Sequence, residues 1–445
     1  VSAATDPEGP ASGALRAIRG GTWSSAGRNS RSASRHGDDP WDSNYYYGFR
    51  LARNSSYSLT YTAATGGSLT GDTDQTVLPG EDGTAITAVP NTRYTFVDWS
   101  DGVTDNPRTD TNLSSGIEVT ANFERIVEVP EVISIAAANF IMGNSGVGVD
   151  ASHGPSEEYP AHTVSLSAYE IGKFEVTNQQ VCDVFNWADD QGLFTTVNET
   201  TATAFDKGLL DLNDSTCDIE YTSGEFQPTT RTGDPGGSTA YSMGDHPVQN
   251  ISWFGAVVYC NWLSEIQALT PVYDTSTWTA NLANDGYRLP TEAQWERAAA
   301  WDGAKHWIYG ITSDSLPGKD RATYRDLSPN YVNPLGLTSS PYTSPVAWFD
   351  GTNVSPNGSV ATQNSVSPIG AYDMSGNVYE WVNDWYDSGY YATSPAIDPE
   401  GPATGSQRAA RGGGGGTLRP DCRTAQRLGE SPSQMFYYLG FRIAR

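Results

Sequence analysis

Residues 1–53 repeat residues 393–445 at a constant offset of 392 positions, without a gap. DPEGPASG at 6–13 meets DPEGPATG at 398–405, RAIRGG at 16–21 meets RAARGG at 408–413, and YYYGFRLAR at 45–53 meets YYLGFRIAR at 437–445. Six arginines keep their places in both copies, and among them Arg19, Arg31, Arg35 and Arg50 fall on Arg411, Arg423, Arg427 and Arg442. The second copy closes the chain after a long stretch that can serve as its folding partner. The first opens the chain with nothing before it, so it reads as the cut end of a preceding domain. A 53-residue piece rich in Gly, Ser and Arg buries too little apolar surface to fold alone. It is expected to need a partner, either a neighbouring subunit through self-association or an upstream head fragment.

The charge pattern indicates what these arginines meet. The chain carries 52 acidic and 26 basic residues, a net charge of −26, and its arginines gather in the two tails while the body between them is acidic. Arginine makes planar two-point pairs with carboxylates and is the cation best suited to burial in such pairs. These eight arginines are therefore expected to be clamps that fasten a tail to an acidic body, with binding of an acidic ligand as the alternative use. A chain this acidic repels nucleic acid and anionic membrane surfaces, so no nucleic-acid partner is expected. Apolar runs such as 129–140 are interrupted and far short of the roughly 20 residues of a membrane helix, so no membrane span is expected. VSAATDPEGP has neither the basic start nor the apolar core of a secretory signal.

Residues 54–126 form a separate unit. YSLTYTA, QTVLP, TAITAVP, YTFVDWSDG and IEVTANF are short β-branched and aromatic runs parted by Gly, Asp, Pro and Asn turns, a strand pattern without a helix. The run from Tyr57 to Phe123, marked by Trp99-Ser100-Asp101-Gly102 and Asn106-Pro107-Arg108, resembles the divergent internalin-B-type bacterial repeat. That resemblance implies a small β-grasp-like spacer of the kind found in bacterial surface and secreted proteins.

From residue 127 the pattern changes. Strands are expected at 139–143 and across 162–178. Helices are expected at 179–188 after a Thr177 or Asn178 cap, at 253–265, and from Thr291 onward, where RLPTEAQWERAAA places a capping threonine before a helix-forming run. HPVQNISWFGAVVYCNWLSE (246–265), GYRLPTEAQWERAAA (286–300), GAYDMSGNVYEWVNDWY (370–386), RAARGG and GFRIAR resemble the formylglycine-generating enzyme, or sulfatase-modifying factor, family and occur in family order. The resemblance implies an α+β domain over 127–445 with that family's variant of the C-type lectin fold. It also makes 1–53 the C-terminal part of a preceding domain of the same kind.

The family's enzyme oxidises a substrate cysteine with copper held by two cysteines just after the RGGS motif, because soft thiolates select Cu(I). In this chain those positions fall near Gly414 and on Arg419, the closing tail has the single Cys422, and the first tail has no cysteine. Copper and catalysis are therefore not expected. Cys260 reads as a small buried hydrophobe; Cys182 and Cys217 can pair as a disulfide in an oxidising compartment. The five histidines show no zinc spacing. The resemblance further implies calcium at Asp373, Gly376, Val378 and Glu380, hard oxygen donors on a Gly-containing turn; pairing of Glu380 with a tail arginine is the alternative.

Taken together, these features lead to the expectation of a noncatalytic structural or adhesive module of a repetitive extracellular or cell-surface bacterial protein, filament-forming by head-to-tail contacts. Two other readings stand beside it: a formylglycine-generating oxidase with an altered site, and a receptor for a surface glycan or protein. The receptor reading rests on the loops 22–30 against 414–422 and 38–44 against 430–436, where the two tails differ most.

Overall fold

The computed structural model describes residues 12–50, 55–325 and 331–445; residues 1–11 and 51–53 of the first tail lie outside that set. The chain forms two compact units, Val1–Val89 with Phe96–Phe123, and Pro90–Thr95 with Glu124–Arg445.

The spacer is built on a four-stranded sheet in the order Asp74–Val77, Tyr57–Ala63, Ile117–Arg125, Tyr94–Trp99. Its two central strands are the first and the last, and they run parallel, with Leu59 opposite Ile117 and Ala63 opposite Ala121. This is the strand order of a grasp-type sheet. Among the described residues the spacer has no helix, and Gly67–Thr70 pairs instead with Thr87–Pro90. Alternation sends Leu59, Tyr61, Val119 and Ala121 to the buried face around Trp99. Arg108 lies 5.5 Å from the centre of the Trp99 ring and forks between Asp101 (2.7 Å) and Asp110 (2.8 Å). The two sequence marks of this module are therefore one cluster.

In the large unit the helix Asn178–Asp190 begins at a Thr177 capping box with Gln180, and Glu292–Ala300 begins at a second box of Thr291 with Gln294. Trp253–Ile266 is capped by Ser252 and is buried along nearly its whole length. The helices Asn178–Asp190 and Trp253–Ile266 carry one apolar core, which includes Phe185, Trp262, Tyr259 and Phe441. The helix Glu292–Ala300 packs Trp295, Ala298 and Ala299 against Phe140, Val164 and Val382 in another. A closing sheet joins both, in the order Arg427–Glu430, Arg408–Arg411, Tyr379–Trp385, Leu439–Phe441. Its last pair is parallel, so the GFR strand lies beside the start of the EW strand, with Glu380 opposite Gly440.

Three local expectations change. The run 162–178 is two strands, His162–Leu166 and Tyr169–Gly172, because each pairs elsewhere, with Ala138–Met142 and Val132–Ile135 respectively. The polar stretch 196–242, which gives a turn-rich pattern in sequence, forms short antiparallel pairs such as Ile219–Thr222 with Glu225–Pro228. Cys182 and Cys217, which can pair in an oxidising compartment, are not bonded to each other in this structure. All four cysteines are free and buried, and these two lie in the same apolar core as small hydrophobes.

Candidate functional site

The closing tail is fastened by four fully buried arginines, each on a different stretch of it. Arg442 meets both oxygens of Glu380, through Nε at 2.5 Å and Nη2 at 2.6 Å, and also donates to the carbonyls of Gly172 and Tyr372. Arg427 makes a two-point pair with Glu292 at 2.6 and 2.9 Å. Arg423 does the same with Glu158 at 2.7 and 2.7 Å and adds Asp150 at 3.0 Å. Arg411 bridges Glu292 and Glu296 and donates to the Thr424 carbonyl. Glu292 and Glu296 stand four residues apart on one helix, so both face the tail. Arg411, Arg423, Arg427 and Arg442 thus each meet a carboxylate of the body.

The buried carboxylates divide into those whose partners outweigh burial and those in which burial wins. Burial pushes the Glu296 carboxyl up, but Arg411, His306 and the Gly143 N–H more than offset it and hold it at about 2. Burial raises Asp384 to about 8, with Glu292 adding to the effect. Burial also raises Asp373 to about 6, and raises Glu175 well above the usual range with help from Asp373 and Glu380.

Asp373, Glu175 and Glu380 converge on the turn expected to hold calcium. The turn is tight: Asp373, Gly376 and Asn377 all have positive φ, and a Cβ on Gly376 meets the Thr323 carbonyl at 2.3 Å. The structure corrects the role of Glu380. Both its oxygens are taken by Arg442, and Trp295 Nε1 donates to one of them at 2.7 Å. It anchors the tail, with three donors on its two oxygens. Asp373 accepts one bond from the Ala347 N–H at 2.7 Å, and Val378 gives its N–H to Glu175 at 3.2 Å. The residues thus fit an oxygen-seeking cation at Asp373 and the turn carbonyls of Gly376 and Val378, and do not fit it at Glu380. Among the described residues no three His, Cys, Asp or Glu side chains group to hold a metal.

The place of the family's copper does not fit that ion. Gly414 has no side chain, and Arg419 lies in a short 3-10 turn, Arg419–Asp421. Cys422 is fully buried, its thiol is pushed up by burial, and Ser375 holds its carbonyl at 2.7 Å. A lone protonated thiol is a poor metal ligand.

The first tail keeps the shape of the closing tail. Its hairpin pairs Arg16 with Asp38 and Arg19 with Arg35, the register in which Arg408 pairs with Glu430 and Arg411 with Arg427. The 3-10 turn Gly27–Asn29 matches Arg419–Asp421, and the Gly20 and Gly21 φ values of 97° and 70° match 95° and 75° at Gly412 and Gly413. Local bonds match too: Arg31 Nε donates to the Arg28 carbonyl as Arg423 Nε does to that of Pro420, and Arg19 donates to Ser32 as Arg411 does to Thr424. The surroundings differ. Arg19, Arg31, Arg35 and Arg50 are exposed and make no ion pair among the described residues. Trp23, Trp41 and Phe49 are 80, 92 and 87% exposed, whereas Phe441, which matches Phe49, is buried.

Sequence reasoning identified the arginines but missed Asp150, Glu158, Glu292, Glu296 and Glu175. For the helical pair the i, i+4 spacing within TEAQWE was the available signal. Asp150 and Glu158 lie in short irregular segments that carry no periodic pattern.

An irregular α+β body closed by this sheet and locked by buried arginines is a C-type lectin-like domain of the formylglycine-generating type. The chain belongs to the sulfatase-modifying factor family: the model of the sulfatase-modifying factor enzyme 1-like domain matches residues 118–445, and that of the divergent InlB B-repeat domain matches 57–127. Serine/threonine-protein kinase pkn1 of Chlamydia caviae is 27% identical over 320 residues, 71% of this chain and 38% of the kinase. The chain thus spans well under half the length of that relative. The formylglycine-generating enzyme of Thermomonospora curvata is 32% identical over 216 residues, 47% of this chain and 58% of that enzyme. Among solved structures, Treponema denticola variable protein 1 is 26% identical with a TM-score of 0.43, covering 70% of this chain and 94% of that one.

Proposed function

We propose that the chain is a noncatalytic structural module of an extracellular or cell-surface bacterial protein, joined to its neighbours by its first tail. One observation carries this reading: the same hairpin occurs twice, once with its arginines buried in carboxylates and once with them bare. Bare arginines beside exposed Trp23, Trp41 and Phe49 suit an acidic, partly apolar surface, and a second copy of this chain, of net charge −26, supplies one. Such a contact joins unlike faces and does not close on itself, which leads to a filament. The spacer supports a surface location, since it matches the divergent InlB B-repeat model. No helix among the described residues is long and apolar enough to cross a membrane.

The absence of catalysis rests on Gly414 and Arg419 at the copper positions. Incubation with copper, oxygen and a cysteine-containing sulfatase peptide is expected to leave the peptide mass unchanged; conversion of its cysteine to an aldehyde contradicts the proposal. Calcium is part of the same proposal, held by the Asp373 carboxylate and the Gly376 and Val378 carbonyls. Binding only to the folded state, it adds about 2.7 kcal/mol at 100 times its dissociation constant. Melting in excess calcium is therefore expected at a higher temperature than in EDTA, and equal midpoints count against the site.

A further inference from the structure

Most deeply buried arginines of the large unit have an evident partner. Arg411, Arg423, Arg427 and Arg442 meet carboxylates, and Arg408 lies between the Trp253 and Trp385 rings at 3.8 and 3.5 Å. Arg288 is only 6% exposed and has neither a carboxylate nor an aromatic ring among the described residues. Its backbone is pinned by reciprocal bonds with Ala444 at 2.9 and 2.6 Å, and Nη1 donates to the Leu289 carbonyl and to Gln294 Oε1 at 2.8 Å. Gln294 Oε1 also accepts the Thr291 N–H of the capping box. The oxygen of that amide is therefore committed, and no bond within the described residues uses its Nε2 or the Nε and Nη2 of Arg288.

Arg288 and Gln294 line a cavity of about 370 Å³. Leu166, Leu282 and Pro399 line its apolar part, and Asp398 and Glu400 bring carboxylates. Asp398 is fixed, with a left-handed φ of 41° and both oxygens bonded to the Ser167 N–H and hydroxyl at 2.7 Å. Glu400 is exposed, and its charge acts on Arg288. Burying a guanidinium without an anion is costly, and a carboxylate accepting two of its N–H groups offsets that cost. A simple anion gains little here, because Asp398 and Glu400 repel it. The ligand that satisfies both ends has a carboxylate for Arg288 and Gln294, a cation for Glu400, and an apolar group between them.

We propose that this cavity binds a small zwitterion of the α-amino-acid class, its carboxylate on Arg288 and Gln294, its ammonium toward Glu400, and an apolar side chain against Leu282 and Pro399. Asp398 positions the loop that carries Glu400 and does not itself contact the ligand's ammonium.

The test is isothermal titration calorimetry of the full chain with L-leucine, L-leucinamide and N-acetyl-L-leucine. Leucine is expected to bind, and loss of either charge to weaken binding at least tenfold. Arg288→Met is expected to abolish binding while leaving the melting temperature unchanged or raised, since it removes a buried charge that makes no ion pair among the described residues. Glu400→Gln, at an exposed position, is expected to weaken leucine and leave N-acetyl-leucine unaffected, which tests the proposal independently of how Arg288→Met folds. No heat from leucine at millimolar concentration, equal binding of leucine and its N-acetyl form, or full binding by Arg288→Met each overturns it.

Discussion

Replacing Arg411 by Met is expected to destabilise the large unit by about 3–5 kcal/mol, the usual cost of removing one member of a buried ion pair. Its guanidinium is fully buried between Glu292 and Glu296. Glu292 keeps Arg427 after the change, whereas Glu296 keeps only His306, Tyr391 and the Gly143 N–H. A Glu296→Gln change on the Arg411→Met background is therefore expected to recover part of the loss, because it removes the charge left without its main partner. Arg19→Met supplies the control. It alters the matching residue of the first tail, which has the same backbone but lies at the surface, and its effect is expected within about 0.5 kcal/mol. Denaturant midpoints followed by tryptophan fluorescence measure all four proteins. Equal losses for Arg411→Met and Arg19→Met contradict the assignment of one tail as clamped and the other as bare.

Stability is expected to fall on the order of a few kcal/mol as pH rises from about 5 to 8, against the habit of most proteins. Burial raises Asp373 and Asp218 to about 6, outweighing Ala347 and Arg442 at the first and Arg231 at the second. It raises Asp384 to about 8, with Glu292 the next cause. The same carboxyls titrate near 4 in the unfolded chain. Between about 4 and 8 the folded state therefore holds protons that the unfolded state has released, and each proton lost on raising the pH weakens folding. Glu296 acts in the opposite sense. Held at about 2, it contributes stability above its unfolded value and loses that contribution as pH falls toward 2. The optimum is expected near pH 5. Urea midpoints in EDTA at pH 5 and pH 8 check the sign, and calcium is expected to reduce the decline by replacing the proton at Asp373.

Much of this was legible in the residues, and the limits are physical. Arginine is the side chain most suited to buried two-point pairs, and its repetition at matched places in the two tails pointed to clamps before any partner was known. The threonine caps located helices because a capping box is a local pattern, complete within four residues. The partners were harder to see. Asp150, Glu158 and Glu175 become special only through burial and through neighbours distant in sequence, as where Glu158 meets Arg423 across 265 positions. Glu380 illustrates the ambiguity: a glutamate beside a turn suits an ion and an arginine equally until the register of the parallel GFR strand places Gly440 opposite it. Cys182 and Cys217 show the same limit, since sequence reveals neither their shared core nor their free thiols.

The first tail, one shape with two surroundings, is proposed to dock on an acidic partner. Analytical ultracentrifugation of the full chain across a range of concentrations and salt tests it most directly, beside a variant with Arg19, Arg31, Arg35 and Arg50 all changed to Ser. The account predicts assemblies larger than the monomer that grow with concentration, weaken with salt and fall to monomer in the variant. A monodisperse monomer for both proteins, with residues 1–53 cleaved by protease while 127–445 stays folded, contradicts it.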